Sequence, residues 1–128
     1  MGRYYNGDIN GKFWFAVQSS HAPSRFGGDI YEPQETHYEF REEEHREQVE
    51  TELSKIKEKL GPRLLLLEKF FRDNNGYNND MIEDLYTEEG ISATYVEADL
   101  VDYADYGLGK KILACIVENG ECNFVAEW

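Results

Sequence analysis

The dipeptide Gly61-Pro62 restricts the fold of this 128-residue chain more than any other local feature. Over about Arg41–Leu60, apolar residues fall within an arc of ~60° at helical spacing, which predicts an amphipathic helix with one narrow buried face. Glycine suits the position after a helix, and proline suits the first position of the next one. The sequence therefore predicts a helix ending at Leu60 and a second helix from Pro62 to about Asp73.

The first 40 residues are predicted to form strands and a long loop. Residues 3–18 contain two Asn-Gly pairs, a strong local signal for a β-hairpin, and the second strand is predicted over Lys12–Gln18. Residues 19–36 are rich in Ser, Gly and Pro and are expected to be irregular. A short strand is expected at Tyr38–Phe40.

The second half mixes helical and extended patterns. Asp80 and Glu83 resemble a capping box, so a short helix is predicted from Asp80 to about Glu88. Ile91–Ala98 alternates and is rich in β-formers, which predicts a strand. Residues 106–118 fit either a helix or a buried strand, and their narrow apolar stripe favours the helix. Glu121–Trp128 is predicted to be a strand.

These elements predict an α+β fold. It would have an antiparallel sheet of about four strands with helices packed on one face. The length suits a single domain over residues 1–128 with one hydrophobic core. Strands are predicted at both ends of the chain, and we expect them to be neighbours in the sheet.

Composition excludes several classes of protein. The chain has 26 acidic residues against 13 Lys and Arg, a net charge of −13, which argues against direct binding to nucleic acid or an anionic membrane. No apolar run approaches the ~18 residues of a membrane span, and no secretory signal is present. Two cysteines are too few for a disulfide framework, so a reducing, cytoplasmic location is expected.

The negative charge is concentrated in residues 73–109, which contain ten acids, five tyrosines and no Lys, Arg or His. Such a stretch predicts an anionic surface that attracts a basic partner, although a solvated face that only maintains solubility is the simpler interpretation. The predicted partner-binding residues are Glu88, Glu89, Asp99, Asp102, Tyr103, Asp105 and Tyr106.

No motif predicts a metal or a cofactor. Asp99, Asp102 and Asp105 recur at a spacing of three and could face a hard cation from one side of a helix, but capping or surface roles are more common. Cys115 and Cys122 are too widely spaced for a zinc knuckle, and no phosphate-binding loop or nucleophile elbow occurs.

The segment 19–29 is the alternative candidate site, because it combines hydroxyls and glycines with His21, Arg25 and Asp29. In a small hydrolase or transferase, His21 would shuttle a proton and Arg25 would bind an anionic group. No local signature supports catalysis, so we favour a protein that is not an enzyme.

Two segments resemble uncharacterised small proteins of large DNA viruses. They are the opening GDINGKFWFAVQSS, residues 7–20, and the closing LGKKI with NGECNF, residues 108–112 and 119–124. The resemblance covers about a quarter of the chain. It implies a viral origin and a host-cell location, and it implies no activity and no assigned residues.

We therefore predict a small acidic interaction protein that engages a basic macromolecular partner. A hydrolase or transferase at segment 19–29 is one alternative. A nucleic-acid mimic that inhibits a DNA-binding enzyme is another, and it requires surface carboxylates spaced like phosphates, roughly 6–7 Å apart.

Overall fold

An antiparallel sheet and four helices make up the computed structural model, which confirms the predicted α+β class. The structure describes residues 4–14, 17–19, 21–31, 36–74 and 78–126. The strands are Tyr4–Gly7 (β1), Gly11–Lys12 (β2), Asp29–Tyr31 (β3), Thr36–Arg41 (β4) and Glu121–Ala126 (β5). The helices are Glu42–Leu60 (α1), Pro62–Asp73 (α2), Asn79–Glu88 (α3) and Val96–Asn119 (α4), with 3-10 turns at Ala22–Phe26 and Ala93–Tyr95.

Within the described residues, the sheet has five strands in the order β2-β1-β5-β4-β3, and every pairing among them is antiparallel. The last strand, β5, therefore lies at the centre, and β1 and β5 are neighbours as the sequence predicts. Tyr38 pairs with Phe124 and Phe40 with Cys122, so their buried side chains share one face. Helices α1 and α4 pack against the sheet.

The interior consists of two hydrophobic clusters. The sheet core joins the buried sheet face to α1 and the second half of α4, and it includes Tyr38, Phe40, Phe124, Val49, Ile56, Ile112 and Ile116. The helical core joins α2, α3 and the beginning of α4, and it consists of Leu67, Ile82, Tyr86, Val96 and Leu100. Because α4 is 24 residues long, it contributes to both cores.

The predicted helices α1 and α2 are confirmed, with the break at Gly61. Gly61 has a positive φ of 54°, a conformation that glycine adopts at little cost, and its N–H donates to the Lys57 carbonyl. Helix α3 begins one residue earlier than predicted. Its cap is Asn78, whose side-chain oxygen accepts a hydrogen bond from the Met81 N–H at 3.0 Å, rather than Asp80.

The prediction of a strand over Lys12–Gln18 is wrong for most of the described part. Strand β2 ends at Lys12, and the N–H groups of Val17 and Gln18 both donate to the Trp14 carbonyl in a turn. Phe15 and Ala16 lie outside the described residues. The adjacent aromatic residues serve different cores, since Phe13 packs in the sheet core and Trp14 against the helical core.

Residues 19–36 are more regular than predicted. The described part contains the 3-10 turn Ala22–Phe26, with Pro23 near its start, and strand β3. The predicted strand at Tyr38–Phe40 is confirmed within β4.

The predicted strand Ile91–Ala98 is also wrong. Ser92 accepts a hydrogen bond from the Thr94 N–H at 3.3 Å and starts a 3-10 turn that leads directly into α4. Val96 and Leu100 are buried one helical turn apart in the helical core, so tertiary packing overrides the local alternation. The helical interpretation of residues 106–118 is confirmed, and β5 confirms the final strand up to Ala126.

Candidate functional site

The acidic stretch 73–109 divides into two groups with opposite environments. Seven of its ten acids are exposed: Asp73, Asp80, Glu83, Asp84, Glu88, Glu89 and Glu97. The other three, on α4, are only 1%, 4% and 5% exposed: Asp99, Asp102 and Asp105. The expectation that these three carboxylates form an outward patch is wrong.

Asp99 lies in the helical core and is paired on two sides. Arg63 of α2 donates to both of its oxygens, at 2.6 Å from Nε and 3.3 Å from Nη2. The Tyr86 hydroxyl of α3 donates to Oδ2 at 2.7 Å. Burial, reinforced by the Asp99 charge, raises the pKa of Tyr86, which keeps this hydroxyl protonated as a donor. Asp99 therefore connects α2, α3 and α4.

Asp102 and Asp105 share one guanidinium. Arg25 Nη1, in the 3-10 turn Ala22–Phe26, lies 3.0 Å from an oxygen of each aspartate. Lys59 Nζ lies 2.9 Å from Asp102 Oδ2, and the Gln18 amide donates to Asp105 Oδ1 at 2.9 Å. Burial raises the pKa of Asp105, although Gln18 and Arg25 both favour its charged form. These contacts join the N-terminal half to α4.

Residues three apart lie close to one another on a helix, so Asp99, Asp102 and Asp105 form a row on α4. The sequence shows this spacing, but it does not show that Arg63, Arg25 and Lys59 supply the opposite charge. A row of charges neutralised in this way holds helices together and offers little to an external cation.

Two further predicted binding residues, Tyr103 and Tyr106, are half-buried. The Tyr103 ring is stacked on Phe71, with 5.3 Å between ring centroids, and meets Trp14 edge-on at 6.0 Å. Glu88 and Glu89 are exposed at the end of α3, and of the predicted binding residues they are the two that lie fully on the surface.

In the alternative site, segment 19–29, Arg25 was predicted to bind an anionic group of a substrate, but its guanidinium contacts carboxylates of the same chain. The Arg25 guanidinium turns toward Asp102 and Asp105, and its Nε lies 3.5 Å from Glu52. His21 is exposed at the start of the 3-10 turn, and the side chain of Asp29 lies outside the described part of the structure. The Arg25 guanidinium is therefore engaged by carboxylates of its own chain.

Helix α3 presents most of the acids that remain at the surface. Ile82 and Tyr86, one turn apart, are fully buried in the helical core. Asp80, Glu83, Asp84 and Glu88 on this helix and Glu89 at its end are exposed, and we define these five residues as the α3 acidic surface. The buried pair holds the helix, so these carboxylates project from a fixed scaffold.

Sequence reasoning missed a cleft of about 210 Å³ between Trp14 and the middle of α4. Its cationic lining residues are Lys12, Lys110 and Lys111. The sequence feature that could have indicated this cleft is the helical spacing of Tyr103, Tyr106 and Lys110, which places aromatic rings beside a cation.

Within the described ranges, no group of three or more His, Cys, Asp or Glu side chains is arranged to hold a metal ion. The same ranges contain no helix with the length and apolar character needed to cross a membrane. Comparison with protein-family models, with curated proteins and with solved structures finds no match for this chain.

Proposed function

We propose that this protein is a non-enzymatic binding protein that contacts a basic macromolecular partner through the α3 acidic surface. One observation supports this proposal most directly. Five exposed carboxylates occur within residues 79–89, and among the described residues none of them forms an ion pair, in contrast to Asp99, Asp102 and Asp105. The charge of this surface is therefore available to an external cation.

The placement of these acids reduces the stability of α3. Asp80 and Asp84, and likewise Asp84 and Glu88, are like charges four residues apart, and each such pair costs about 0.2–0.5 kcal/mol. Glu88 and Glu89 also lie at the C-terminal end of the helix, where the dipole favours cations, and the last turn has no basic residue. The acids at the C-terminal end of the helix therefore do not contribute to its stability, which is consistent with a role in binding a basic partner.

Pre-organisation also supports binding at this surface. The buried Tyr86 hydroxyl donates to Asp99, which in turn is bound by Arg63, so α3 is held by hydrogen bonds as well as by apolar packing. A partner meeting a helix that is already fixed does not incur the entropy cost of ordering it. Met81 and Tyr95, both partly exposed, provide apolar area near the acids in the sequence.

The partner we propose is a basic protein in the cytoplasm, in the host cell if the chain is viral. Long-range attraction by this surface would accelerate encounter and would weaken as salt increases, because exposed charges are screened over ~10 Å at 0.1 M. A nucleic-acid mimic would use the same surface against a DNA-binding enzyme. The three buried aspartates cannot contribute to such a mimic.

The test neutralises three acids of the α3 acidic surface with Glu83→Gln, Asp84→Asn and Glu88→Gln. The matched control neutralises Glu43, Glu47 and Glu58, which are exposed on α1 and remove the same net charge. Fluorescence anisotropy with a labelled decalysine peptide provides a defined cationic probe at low and moderate salt. Affinity capture from lysate with the same three proteins then identifies partners.

We expect the α3 variant to bind the peptide about tenfold more weakly than the wild type, and the α1 control to bind nearly as well. Captured basic proteins should be lost with the α3 variant alone. Equal losses in both variants would mean that only net charge matters, and this would refute the proposal. If the captured proteins are DNA-binding enzymes that DNA displaces, the mimic is the correct form of the function.

A further inference from the structure

The cleft between Trp14 and α4 is chemically unlike the rest of this acidic molecule. Three of its lining residues are lysines, and Tyr5, Trp14, Tyr103 and Tyr106 provide aromatic walls. Of the lining residues that the structure describes, Glu68 is the single acid. The lining residues therefore carry three positive charges and one negative charge, although the net charge of the chain is −13.

The three lysines of the cleft lack carboxylate partners. In the described part of the chain, Lys12, Lys110 and Lys111 form no ion pair, whereas Lys59, Arg25 and Arg63 all do. Instead, each cleft lysine lies near a tyrosine ring, with Nζ 5.9 Å from the centroid of Tyr4, 5.4 Å from Tyr106 and 5.3 Å from Tyr5, respectively. Lys55, Lys57 and Lys69 likewise form no ion pair among the described residues, so the distinguishing feature of the other three is that they lie together at one cleft.

Lys111 is held in place and still has capacity to bind an anion. Its ammonium donates to the Tyr5 hydroxyl at 3.0 Å and to the Asn10 carbonyl at 3.2 Å. A lysine ammonium has three N–H donors, so one remains for a ligand. Tyr5 is itself fixed by packing on Phe13, with 5.0 Å between the ring centroids. This corner of the cleft is therefore pre-formed.

A glycine without a packing role lines the cleft. Helix α4 contains two glycines, Gly107 and Gly109. A Cβ at Gly109 would lie 2.4 Å from the Phe26 ring, so packing requires glycine there. A Cβ at Gly107 would meet nothing within 4 Å, yet glycine inside a helix costs about 1 kcal/mol relative to alanine. Gly107 lines the cleft, and a side chain there would reduce its volume.

We propose that this cleft binds a small anion that joins one phosphate or carboxylate group to one planar ring. The lysines would bind the oxyanion as point charges, and the aromatic walls would pack against the ring. The volume of about 210 Å³ is below the roughly 300–1,000 Å³ of sites for drug-sized ligands, which suits a ligand with a single ring. This site is separate from the α3 acidic surface and does not depend on the proposed function.

Trp14 lines the cleft and provides the measurement. In a Trp128→Phe background it is the single tryptophan of the chain, so its fluorescence reports on the cleft. Phenyl phosphate and benzoate are the probes, and inorganic phosphate and benzyl alcohol represent the anion alone and an uncharged ring. We expect saturable quenching by both probes, with affinity at least tenfold higher than for either fragment.

Two variants test the site without relying on loss of fold. Gly107→Leu fills the cleft and replaces a helix-breaking residue, so it should raise the melting temperature and weaken probe binding at least tenfold. Lys12→Ala with Lys110→Ala should weaken binding to a similar extent. Its charge-matched control is Lys55→Ala with Lys69→Ala, at two exposed lysines that do not line the cleft, where affinity should change less than twofold.

Three results would overturn the proposal. One is unchanged binding in Gly107→Leu, and another is equal weakening in the two lysine double variants. The third is binding of a peptide of residues 79–89 in place of the small anions, which would assign the cleft to a second copy of the chain. The first two outcomes leave the decalysine experiment unaffected, so failure of this site and failure of the α3 acidic surface are distinguishable.

Discussion

The aspartates of α4 and the acids of α3 have the same chemistry and come from one stretch of sequence, yet they occupy opposite environments. Asp99, Asp102 and Asp105 are buried and paired with cations from distant parts of the chain. The α3 acidic surface faces solvent without a cation of its own. A run of acids in the sequence therefore does not define one function, because cations from distant parts of the same chain determine which carboxylates are buried.

The energetic consequences differ accordingly. A buried carboxylate has lost its hydration, so the loss of its partner is severe even when the pair itself adds little net stability. An exposed carboxylate stays hydrated, and changing it alters stability by tenths of a kcal/mol. Substitutions that affect the buried aspartates should therefore lower the free energy of unfolding much more than substitutions of the exposed acids.

The largest effect is expected from Arg63→Ala, which leaves Asp99 buried with Tyr86 as its remaining partner. We expect the free energy of unfolding to fall by about 3 kcal/mol in urea denaturation. Arg46→Ala is the control, because Arg46 pairs with Glu42 and Glu50 on the surface of α1, and it should cost less than about 1 kcal/mol. Equal losses of unfolding free energy in the two variants would mean that the buried Arg63–Asp99 pair matters no more to stability than a surface ion pair.

A smaller effect should appear in the pH dependence of Asp105. Its folded pKa is raised by burial, so the folded state holds a proton that the unfolded state releases. The stability of the wild type relative to Asp105→Asn should be greatest below the ordinary aspartate pKa. This relative stability should then fall as the pH rises through the raised pKa of Asp105 in the folded state, with a slope no steeper than about 1.4 kcal/mol per pH unit.

Thermal or urea unfolding of both proteins between pH 3 and pH 7 gives this difference directly. Glu83→Gln serves as the control from the exposed group. A relative stability that increases with pH for Asp105 would contradict the buried environment described for it.

The smallest effect is expected at the end of α3. Glu88→Lys converts a repulsion with Asp84 into an attraction and places a cation at the C-terminal end of the helix. The protein should gain about 0.5 kcal/mol of stability and lose affinity for decalysine. Glu43→Lys, in the first turn of α1, should instead destabilise by a similar amount. Shifts of the same sign would show that the helix dipole does not govern these positions.

Elements with strong local signals were predictable from sequence. Helices α1 and α2 follow from apolar spacing and from Gly61-Pro62, and β5 follows from its β-forming composition. The segment 91–98 was not predictable, because its alternation is overruled by packing of Val96 and Leu100 in the helical core. The strand predicted over Lys12–Gln18 does not continue past Lys12 for a related reason, because the side chains of Phe13 and Trp14 pack in different cores.

The candidate site was predictable only in part. Local sequence shows the charge of Glu88 and Glu89 and their place at the end of a helix. The burial of Asp105 depends on Arg25, which is 80 residues away in the sequence, and no local pattern encodes that contact. The lysine cleft likewise combines Lys12 with Lys110 across the fold.

The central position of β5 has a consequence for biosynthesis. The ribosome makes β1 and β4 more than 75 residues before it makes β5, the strand that both of them pair with. Until residues 121–126 emerge, the nascent sheet is divided into two hairpins with open edges, which are prone to pairing with other chains. Chaperones that act on the nascent chain would therefore meet it before the sheet closes.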